Sequence, residues 1–182
     1  MTPAILVRPS ADADVPDIAR IYGHHALRGL ASFEEVAPAV EEMARRRADI
    51  LSKGFPYLVA EEAGQVVGYA YCSAYRPRSG YRFSVEDSIY VAPGRGGAGI
   101  GSLLLPRLVD AATALGARQM IAVIGDSGNA ASIAIHRSRG FADAGLLKSV
   151  GFKFGRWIDS VFMQRALGEG DDTLPQASPR RP

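Results

Sequence analysis

The feature that most constrains the fold is a glycine-rich turn between an apolar segment and a helical pattern. The apolar segment ends at Pro93, and five glycines fall within residues 94–101. Apolar residues then recur with helical spacing over residues 100–115. Glycine leaves backbone N–H groups uncovered, and the first turn of a helix adds unpaired N–H groups and a positive dipole end. We therefore predict a strand, a turn and a helix whose junction holds a phosphate or pyrophosphate, with a plain flexible connection as the alternative.

Two common nucleotide-binding loops do not fit this stretch. The spacing Gly97-x-Gly99-x-Gly101 differs from the dinucleotide fingerprint, and it lies in the middle of the chain after a hairpin pattern. A nucleotide-hydrolysing loop requires Gly-Lys-Ser/Thr, which this stretch lacks. The pyrophosphate interpretation remains, whereas nicotinamide binding and nucleotide hydrolysis are excluded.

Composition limits the class of protein further. A chain of 182 residues suits one domain, and a net charge of +2 without a basic block gives no reason to expect nucleic acid as a partner. Cys72 is the only cysteine, which excludes an internal disulfide and a multi-cysteine metal site. No segment has the length of a membrane span or the layout of a signal peptide, so we predict a cytoplasmic protein with no membrane partner.

The periodicity predicts the order β-α-α-β-β-β-α-β-α-β-β. Adjacent hairpins and one strand–helix–strand crossover give a mixed sheet with helices on both faces, class α/β or α+β. Pro106 predicts a kink in the third helix. Residues 168–182 predict a disordered tail after a domain of residues 1–167. The predicted strands cover residues 4–8, 57–61, 65–71, 83–91, 120–124, 141–149 and 156–165, with a loop at 151–155 in the last hairpin, and the predicted helices cover residues 15–26, 38–52, 100–115 and 130–139.

Two motifs resemble the Gcn5-related N-acetyltransferase (GNAT) superfamily. The first is Gly96-x-x-Gly99-x-Gly101 preceded by Val91-x-Pro93; the family has Arg or Gln where this chain has Gly96. The second runs from Asn129 through Ser132 and His136 to Gly140-Phe141. The resemblance covers about residues 4–166. It implies a GNAT fold, with a mixed, mostly antiparallel central sheet of about seven strands flanked by helices on both faces.

Three further segments are similar to the phosphinothricin and methionine sulfoximine or sulfone acetyltransferases. They are residues 33–35, 83–91 and 151–159. The resemblance implies acetyl-CoA as co-substrate, no metal, a small amino-acid substrate acetylated on its α-amine, and a homodimer. The cofactor-binding residues that it implies are Ile89, Tyr90, Val91, Gly96, Gly97, Ala98, Gly99, Ile100, Gly101, Ser102, Asn129 and Ser132.

Acetyl transfer requires a base to deprotonate the amine, and two carboxylates qualify by type. Glu86 and Asp87 are neighbours on a strand, so their side chains point to opposite faces and only one can serve. Periodicity does not choose between them. The resemblance chooses Glu86, acting through water, with a surface carboxylate as the alternative.

Two other roles follow from the resemblance. A backbone N–H of residues 89–91 would stabilise the oxyanion of the tetrahedral intermediate. His136 occupies the place where many relatives have a tyrosine acid, and an imidazole that titrates near pH 6.5 can protonate a departing thiolate. A packed or solvated histidine without chemistry is the alternative. Asn129 is interpreted as a helix N-cap, as a hydrogen-bond partner of CoA, or as both.

An amino-acid carboxylate or phosphinate suits guanidinium groups. Arg76 and Arg78 precede the Glu86 strand, with Phe33 and Tyr81 as candidate walls of the pocket and Arg82 as a weaker candidate; solvated arginines are the alternative. Lys153 and Trp157 are predicted to complete the pocket, across a dimer interface. Acetylation of a protein N-terminus or a polyamine, and a CoA-binding module without turnover, remain alternative functions.

Overall fold

A computed structural model describes residues 4–175, which form seven strands and four α-helices. The strands are β1 (Leu6–Pro9), β2 (Tyr57–Glu62), β3 (Gln65–Ala74), β4 (Ser84–Val91), β5 (Gln119–Gly125), β6 (Ala142–Lys153) and β7 (Arg156–Ala166). The helices are α1 (Val15–Arg28), α2 (Val40–Ser52), α3 (Ile100–Ala114) and α4 (Ala130–Ser138). None of the helices in this part of the chain is long and apolar enough to cross a membrane.

All seven strands form one sheet in the order β1-β2-β3-β4-β5-β7-β6. Within residues 4–175 the one parallel pair is β4 with β5, because α3 carries the chain back across the sheet between them. This pairing extends from Ser84 opposite Gln119 to Asp87 opposite Ala122 and then stops. The remaining parts of β4 and β5 separate, and we call this gap the fork. The prediction of a mixed, mostly antiparallel sheet of about seven strands is confirmed.

Apolar side chains cover both faces of the sheet, as the alternation within the strands requires. On one face α3 buries Leu104, Leu105 and Leu108 completely. On the other face α1 buries Ile18 and Ile21 in a second cluster with strand residues. Burying an aliphatic side chain of this size stabilises the fold by about 1.5–3 kcal/mol. These buried side chains therefore hold α3 against one face of the sheet and α1 against the other. The two layers fix the sheet from both sides and leave the fork at its centre.

The last hairpin differs from the prediction. Residues 151–153 are not a loop, because Gly151, Phe152 and Lys153 pair with residues 156–158 of β7. The connection is the two-residue turn Phe154-Gly155, with φ angles of 54° and 72°, which fit a turn that requires positive φ at both positions. The predicted loop of residues 151–155 was too long, because Gly151 and Gly155 both indicate a turn and the sequence does not show at which of them the strand pairing ends.

The other boundaries agree within a few residues. Pro106 lies inside α3, which continues on both sides of it. The start of the predicted tail is held by Arg118, whose Nη2 donates to Thr173 Oγ1 at 2.9 Å and whose Nη1 lies 3.4 Å from Gly170 O. Residues 176–182, the rest of the predicted tail, lie outside the described residues.

Tyr69 supports a prediction about stability. Its ring is fully buried and stacks on Tyr90 at 5.3 Å, but its hydroxyl has no hydrogen-bond partner within the described residues. Because an unpaired buried hydroxyl is unfavourable, we expect Tyr69→Phe to raise the free energy of unfolding by roughly 1 kcal/mol. Tyr22→Phe is the control, since that hydroxyl bonds Ser32 and Glu34, and it should lower stability by about 1 kcal/mol. Urea denaturation measures both; a loss of stability in Tyr69→Phe would contradict the prediction.

Candidate active site

The fork opens into a cavity of about 500 Å³ that reaches from the α3 side of the sheet to His25 and Ala31 on the α1 side. Strand β4 lines it from Asp87 to Val91, and β5 lines it from Ala122 to Gly125. The turn before α3 and the inner face of α4 as far as His136 complete the wall. Every predicted cofactor residue except Ala98 lines this cavity, namely Ile89, Tyr90, Val91, Gly96, Gly97, Gly99, Ile100, Gly101, Ser102, Asn129 and Ser132.

The glycine turn has the backbone conformation that its composition indicates. Gly97 and Gly99 have φ angles of 80° and 76°, a region that favours glycine, and α3 begins at Ile100 immediately after Gly99. A Cβ at Gly101 would lie 3.0 Å from the Ile135 side chain, so glycine also permits α3 and α4 to approach. The first-turn N–H groups of α3 therefore lie at an open end of the cavity, where an anion fits.

Arg95 is the basic side chain of this turn, and it is already paired. Its Nη2 lies 2.6 Å from Glu62 Oε2 at the β2–β3 hairpin, and the Glu62 side chain is 12% exposed. The pairing offsets the charge that would otherwise attract a phosphate. The backbone N–H groups of the turn are the donors that remain for an anion.

Asn129 acts as the N-cap of α4. Its side-chain oxygen accepts a hydrogen bond from the backbone N–H of Ser132 at 3.2 Å. One of the two interpretations of Asn129 is thereby observed, and its position in the cavity wall is compatible with the other.

His136 forms a buried pair with Asp87 at the closed end of the fork. Its Nε2 lies 3.0 Å from Asp87 Oδ2, and its Nδ1 lies 2.7 Å from Ser132 O. Two acceptors flanking one ring are best satisfied when both nitrogens carry protons. Burial alone would lower the pKa of His136, but the hydrogen bond and charge of Asp87 outweigh burial and raise it. The Asp87 carboxylate therefore favours the protonated form of His136, and both ring nitrogens are engaged inside the protein.

The sequence did not predict that Asp87 pairs with His136. Periodicity had placed it only as the alternative to Glu86 for the role of base. Asp87 and His136 are 49 residues apart in sequence, so only the packing of α4 against the sheet brings them together.

Within residues 4–175, no group of three or more His, Cys, Asp or Glu side chains is placed to hold a metal ion.

Glu86 lies on the opposite face of β4 from Asp87, between Ser73 of β3 and Ile121 of β5. Burial raises the pKa of its carboxyl, the nearby charge of Asp87 raises it further, and Arg76 partly opposes the shift. A carboxylate with a raised pKa accepts protons more readily near neutral pH. The environment of Glu86 therefore suits a general base.

A second cavity of about 500 Å³ borders the same face as Glu86. Arg76 and Tyr81 line it together with Ser84 and Ile121, the residues next to Glu86 on its face of the sheet. The Arg76 guanidinium stacks over the Tyr75 ring at 4.9 Å. Arg78 precedes the short 3₁₀ turn Ser79–Tyr81, and neither it nor Arg82 lines this cavity.

Phe33 lies at a different place from Arg76 and Tyr81. It packs on Gly151 of β6 and Gly125 of β5, and a Cβ at Gly151 would lie 2.5 Å from its ring. The side chain of Phe33 is nevertheless 42% exposed, so one face of the ring remains open. The structure therefore brings Arg76 and Tyr81 together at the second cavity, whereas Phe33 lies apart from them against Gly125 and Gly151.

Lys153 lines neither of these two cavities. It is fully buried, and its ammonium donates to Ser32 O at 2.7 Å and Gly29 O at 2.9 Å. These carbonyls follow the C-terminus of α1, where a cation is favourable. The predicted role in a shared pocket was wrong for Lys153, because a lysine in a strand carries no sequence signal for burial against a helix end. Trp157 is 65% exposed beside Phe152.

Comparisons with known proteins agree with this geometry. Residues 7–162 match the model of the "Acetyltransferase (GNAT) domain" family. The chain is 55% identical to the phosphinothricin N-acetyltransferase of Alcaligenes faecalis, over 95% of this chain and 88% of that protein. It is 40% identical to the L-methionine sulfoximine/L-methionine sulfone acetyltransferase of Salmonella typhimurium, over 90% of this chain and 95% of that protein.

A solved structure gives the same result for the fold. The phosphinothricin acetyltransferase of Sinorhizobium meliloti, in complex with AcCoA, superposes with a TM-score of 0.91 at 51% identity and covers 97% of this chain and 94% of its own. The superfamily and subfamily resemblance read from the two motifs and the three segments is thus confirmed. The chain belongs to the GNAT family of acetyltransferases.

Proposed function

We propose that this enzyme transfers the acetyl group of acetyl-CoA to the α-amine of a small amino-acid analogue of the phosphinothricin, methionine sulfoximine or methionine sulfone type. Direct transfer takes place in a ternary complex. The observation that carries the proposal is the fork, because it connects the cavity beneath the glycine turn with the face on which Glu86 lies. A cofactor arm in the fork and an amine beside Glu86 meet at the gap in the sheet.

Each part of the site has a task in this proposal. N–H groups of residues 96–102 hold the pyrophosphate. The part of β4 at residues 89–91, which has no β5 partner, pairs with the extended arm and faces the oxyanion. Glu86, through a water molecule, removes a proton from the amine, whose nitrogen then attacks the thioester carbon. The carbon–sulfur bond breaks, and the thiolate takes up a proton from solvent. Acetyl-CoA supplies the thioester when it is bound.

The amino-acid substrate class is supported by the second cavity. Arg76 is the charged side chain among its lining residues, and a guanidinium can bind a carboxylate or phosphinate by two hydrogen bonds. A polyamine would require acidic groups there instead. A CoA-binding module without turnover would have no use for a carboxylate with a raised pKa beside the gap.

A thiol-release assay tests this proposal. The enzyme is incubated with acetyl-CoA and, in separate reactions, with phosphinothricin, methionine sulfoximine, methionine sulfone, a polyamine and a peptide with a free N-terminus. We expect release of CoA thiol with the three amino-acid analogues. Turnover of the polyamine or the peptide alone would replace the proposed substrate class, and no turnover of any amine would favour the binding module.

The glycine turn makes a separate prediction about cofactor binding. Since Arg95 is paired with Glu62, we expect Arg95→Ala to change the dissociation constant of acetyl-CoA less than about 3-fold. Gly99→Val forces a branched side chain into a positive φ of 76° and should weaken binding about 10-fold or more. Isothermal titration calorimetry measures both constants. A large loss in Arg95→Ala with a small one in Gly99→Val would mean that the guanidinium, not the backbone, holds the pyrophosphate.

We also propose that two copies of the chain associate through the β6–β7 hairpin. The edge strand β6 is exposed along most of its length, and Leu146, Leu147, Val150 and Phe152 are each exposed by 45% or more. Such an apolar edge is a recognised site of association. Sedimentation equilibrium should give twice the chain mass of 19.4 kDa.

A cytoplasmic location remains a prediction from the sequence.

A further inference from the structure

The carboxylate of Asp87 is a polar group that the proposed chemistry leaves unused. It is 6% exposed, and its Oδ2 accepts a hydrogen bond from His136 at 3.0 Å. Its other oxygen, Oδ1, is buried and has no hydrogen-bond partner in the part of the chain that the structure describes. A buried carboxylate oxygen without a donor is unfavourable, so Oδ1 is suited to accept a hydrogen bond from a group that enters the adjoining cavity.

The position of Asp87 indicates which ligand this is. Asp87 borders the main cavity and is the last residue of β4 that pairs with β5, opposite Ala122. The neighbouring residues of β4, from Ser88 to Val91, also line the cavity and have no β5 partner. An extended arm that lies along this free edge ends beside Asp87. The Asp87 side chain is 2% exposed, so bulk solvent has little access to it, and the cavity that it borders is the route by which a donor group can approach.

His136 occupies one oxygen of the Asp87 carboxylate and leaves the other open. Among the described residues, Asp87 of β4 is the charged group that acts on the His136 imidazole, Ser132 of α4 contributes a carbonyl, and Phe141 contributes an uncharged ring at 5.0 Å. Oδ2 is taken by His136 Nε2 and Oδ1 remains as an acceptor, whereas both nitrogens of His136 are engaged and neither is free to face the cavity.

We propose that Oδ1 of Asp87 is a cofactor-binding atom, which accepts a hydrogen bond from a donor at the reactive end of coenzyme A. His136 is then a positioning residue, which holds and neutralises Asp87, and this replaces the role of acid predicted from the sequence. The inference rests on the proposed function, because it takes the ligand to be coenzyme A. Two donors at that end have suitable chemistry: the last amide N–H of the pantetheine arm and the S–H of the product thiol.

Calorimetric dissociation constants of the full chain for CoA, acetyl-CoA and desulfo-CoA test the inference. Asp87→Asn keeps an acceptor for His136 but turns an N–H₂ group or a neutral oxygen toward the ligand, so binding should weaken about 10-fold. If the donor is the amide, all three ligands weaken alike. If it is the thiol, CoA weakens and desulfo-CoA does not. Unchanged constants for all three ligands would overturn the inference.

Two further variants separate ligand contact from protein stability. Asp87→Asn leaves the buried His136 charge unpaired, so the double variant Asp87→Asn/His136→Gln replaces the pair with two neutral amides. It should recover thermal stability but not affinity; recovery of affinity would show that Asp87 acts only through the fold. Asp143→Asn is the matched control, since that carboxylate pairs with Arg137 of α4 at the exposed surface, 2.9 Å away.

The control should bind all three ligands as the wild type does, and an equal loss in it would also overturn the inference. Wild-type protein that binds none of the three ligands would refute the proposed function itself. Wild-type binding together with unchanged binding by Asp87→Asn would refute only the role of Asp87.

Discussion

Glu86→Gln is expected to lower turnover by about 100-fold or more at neutral pH, because the substituted amide cannot accept the proton of the attacking amine. Glutamine has nearly the same shape, and Glu86 does not line the cofactor cavity, so the dissociation constant of acetyl-CoA should stay unchanged. Steady-state kinetics with methionine sulfone and calorimetry with acetyl-CoA measure the two quantities. Glu61→Gln is a matched control, as that carboxylate lies on β2 and pairs with Arg8.

The pH dependence gives a second measure of the same residue. Burial and the charge of Asp87 raise the pKa of Glu86, and a base is active only when it is deprotonated. Activity of the wild type should therefore fall as the pH falls through that raised pKa, and it should be retained above it. The acid limb should disappear from the small residual activity of Glu86→Gln. An unchanged limb, or unchanged turnover, would remove Glu86 as the base.

Gly125→Ala is expected to lower the free energy of unfolding by about 1–3 kcal/mol, because the new methyl group overlaps the backbone oxygen of Leu30. A backbone carbonyl cannot rotate away as a side chain can, so either β5 or the segment after α1 has to move. For a chain of this length, such a loss corresponds to a fall in the melting temperature of roughly 2–12 °C. Differential scanning calorimetry and urea denaturation measure it.

Two other glycines serve as comparisons. The atoms nearest to a methyl group at Gly151 belong to the ring of Phe33, which is partly exposed and can turn outward, so Gly151→Ala should cost less stability than Gly125→Ala. Gly145 of β6 has no atom within 4 Å of a new Cβ, and Gly145→Ala should be neutral within about 0.5 kcal/mol. Equal melting temperatures for Gly125→Ala and Gly145→Ala would show that the contact with Leu30 is not tight.

The glycine turn and the order of elements were predictable from the sequence because both depend on local signals. A positive φ at Gly97 and Gly99 follows from the residue type, and the crossover through α3 follows from hydrophobic spacing. Lys153 and Asp87 were not predictable in the same way. Their environments are created by segments more than 40 residues away, namely the end of α1 for Lys153 and His136 of α4 for Asp87.

His136 shows the limit of reasoning from motif position. His136 lies on the helix after Asn129, where the resemblance predicted a general acid, and an imidazole can donate a proton. The structure shows that both ring nitrogens are engaged, which depends on the turn of α4 and on the depth at which α4 packs. The residue type of His136 thus predicted a proton donor near the thioester. Which hydrogen bonds His136 and Asp87 make depends on tertiary contacts that the sequence does not show.

The fork also has a consequence for the cohesion of the molecule. The sheet consists of two antiparallel blocks, β1 to β4 and β5 to β7. Within residues 4–175 the strand pairing between the blocks comprises four residue pairs, from Ser84 to Asp87 on the β4 side. A ligand arm that pairs with the free edge of β4 would lengthen this seam. By linkage, a ligand present at 100 times its dissociation constant adds about 2.7 kcal/mol to the unfolding free energy. On the proposed binding mode the cofactor would be a removable part of the sheet, and the concentration of coenzyme A would set how firmly the two blocks hold together.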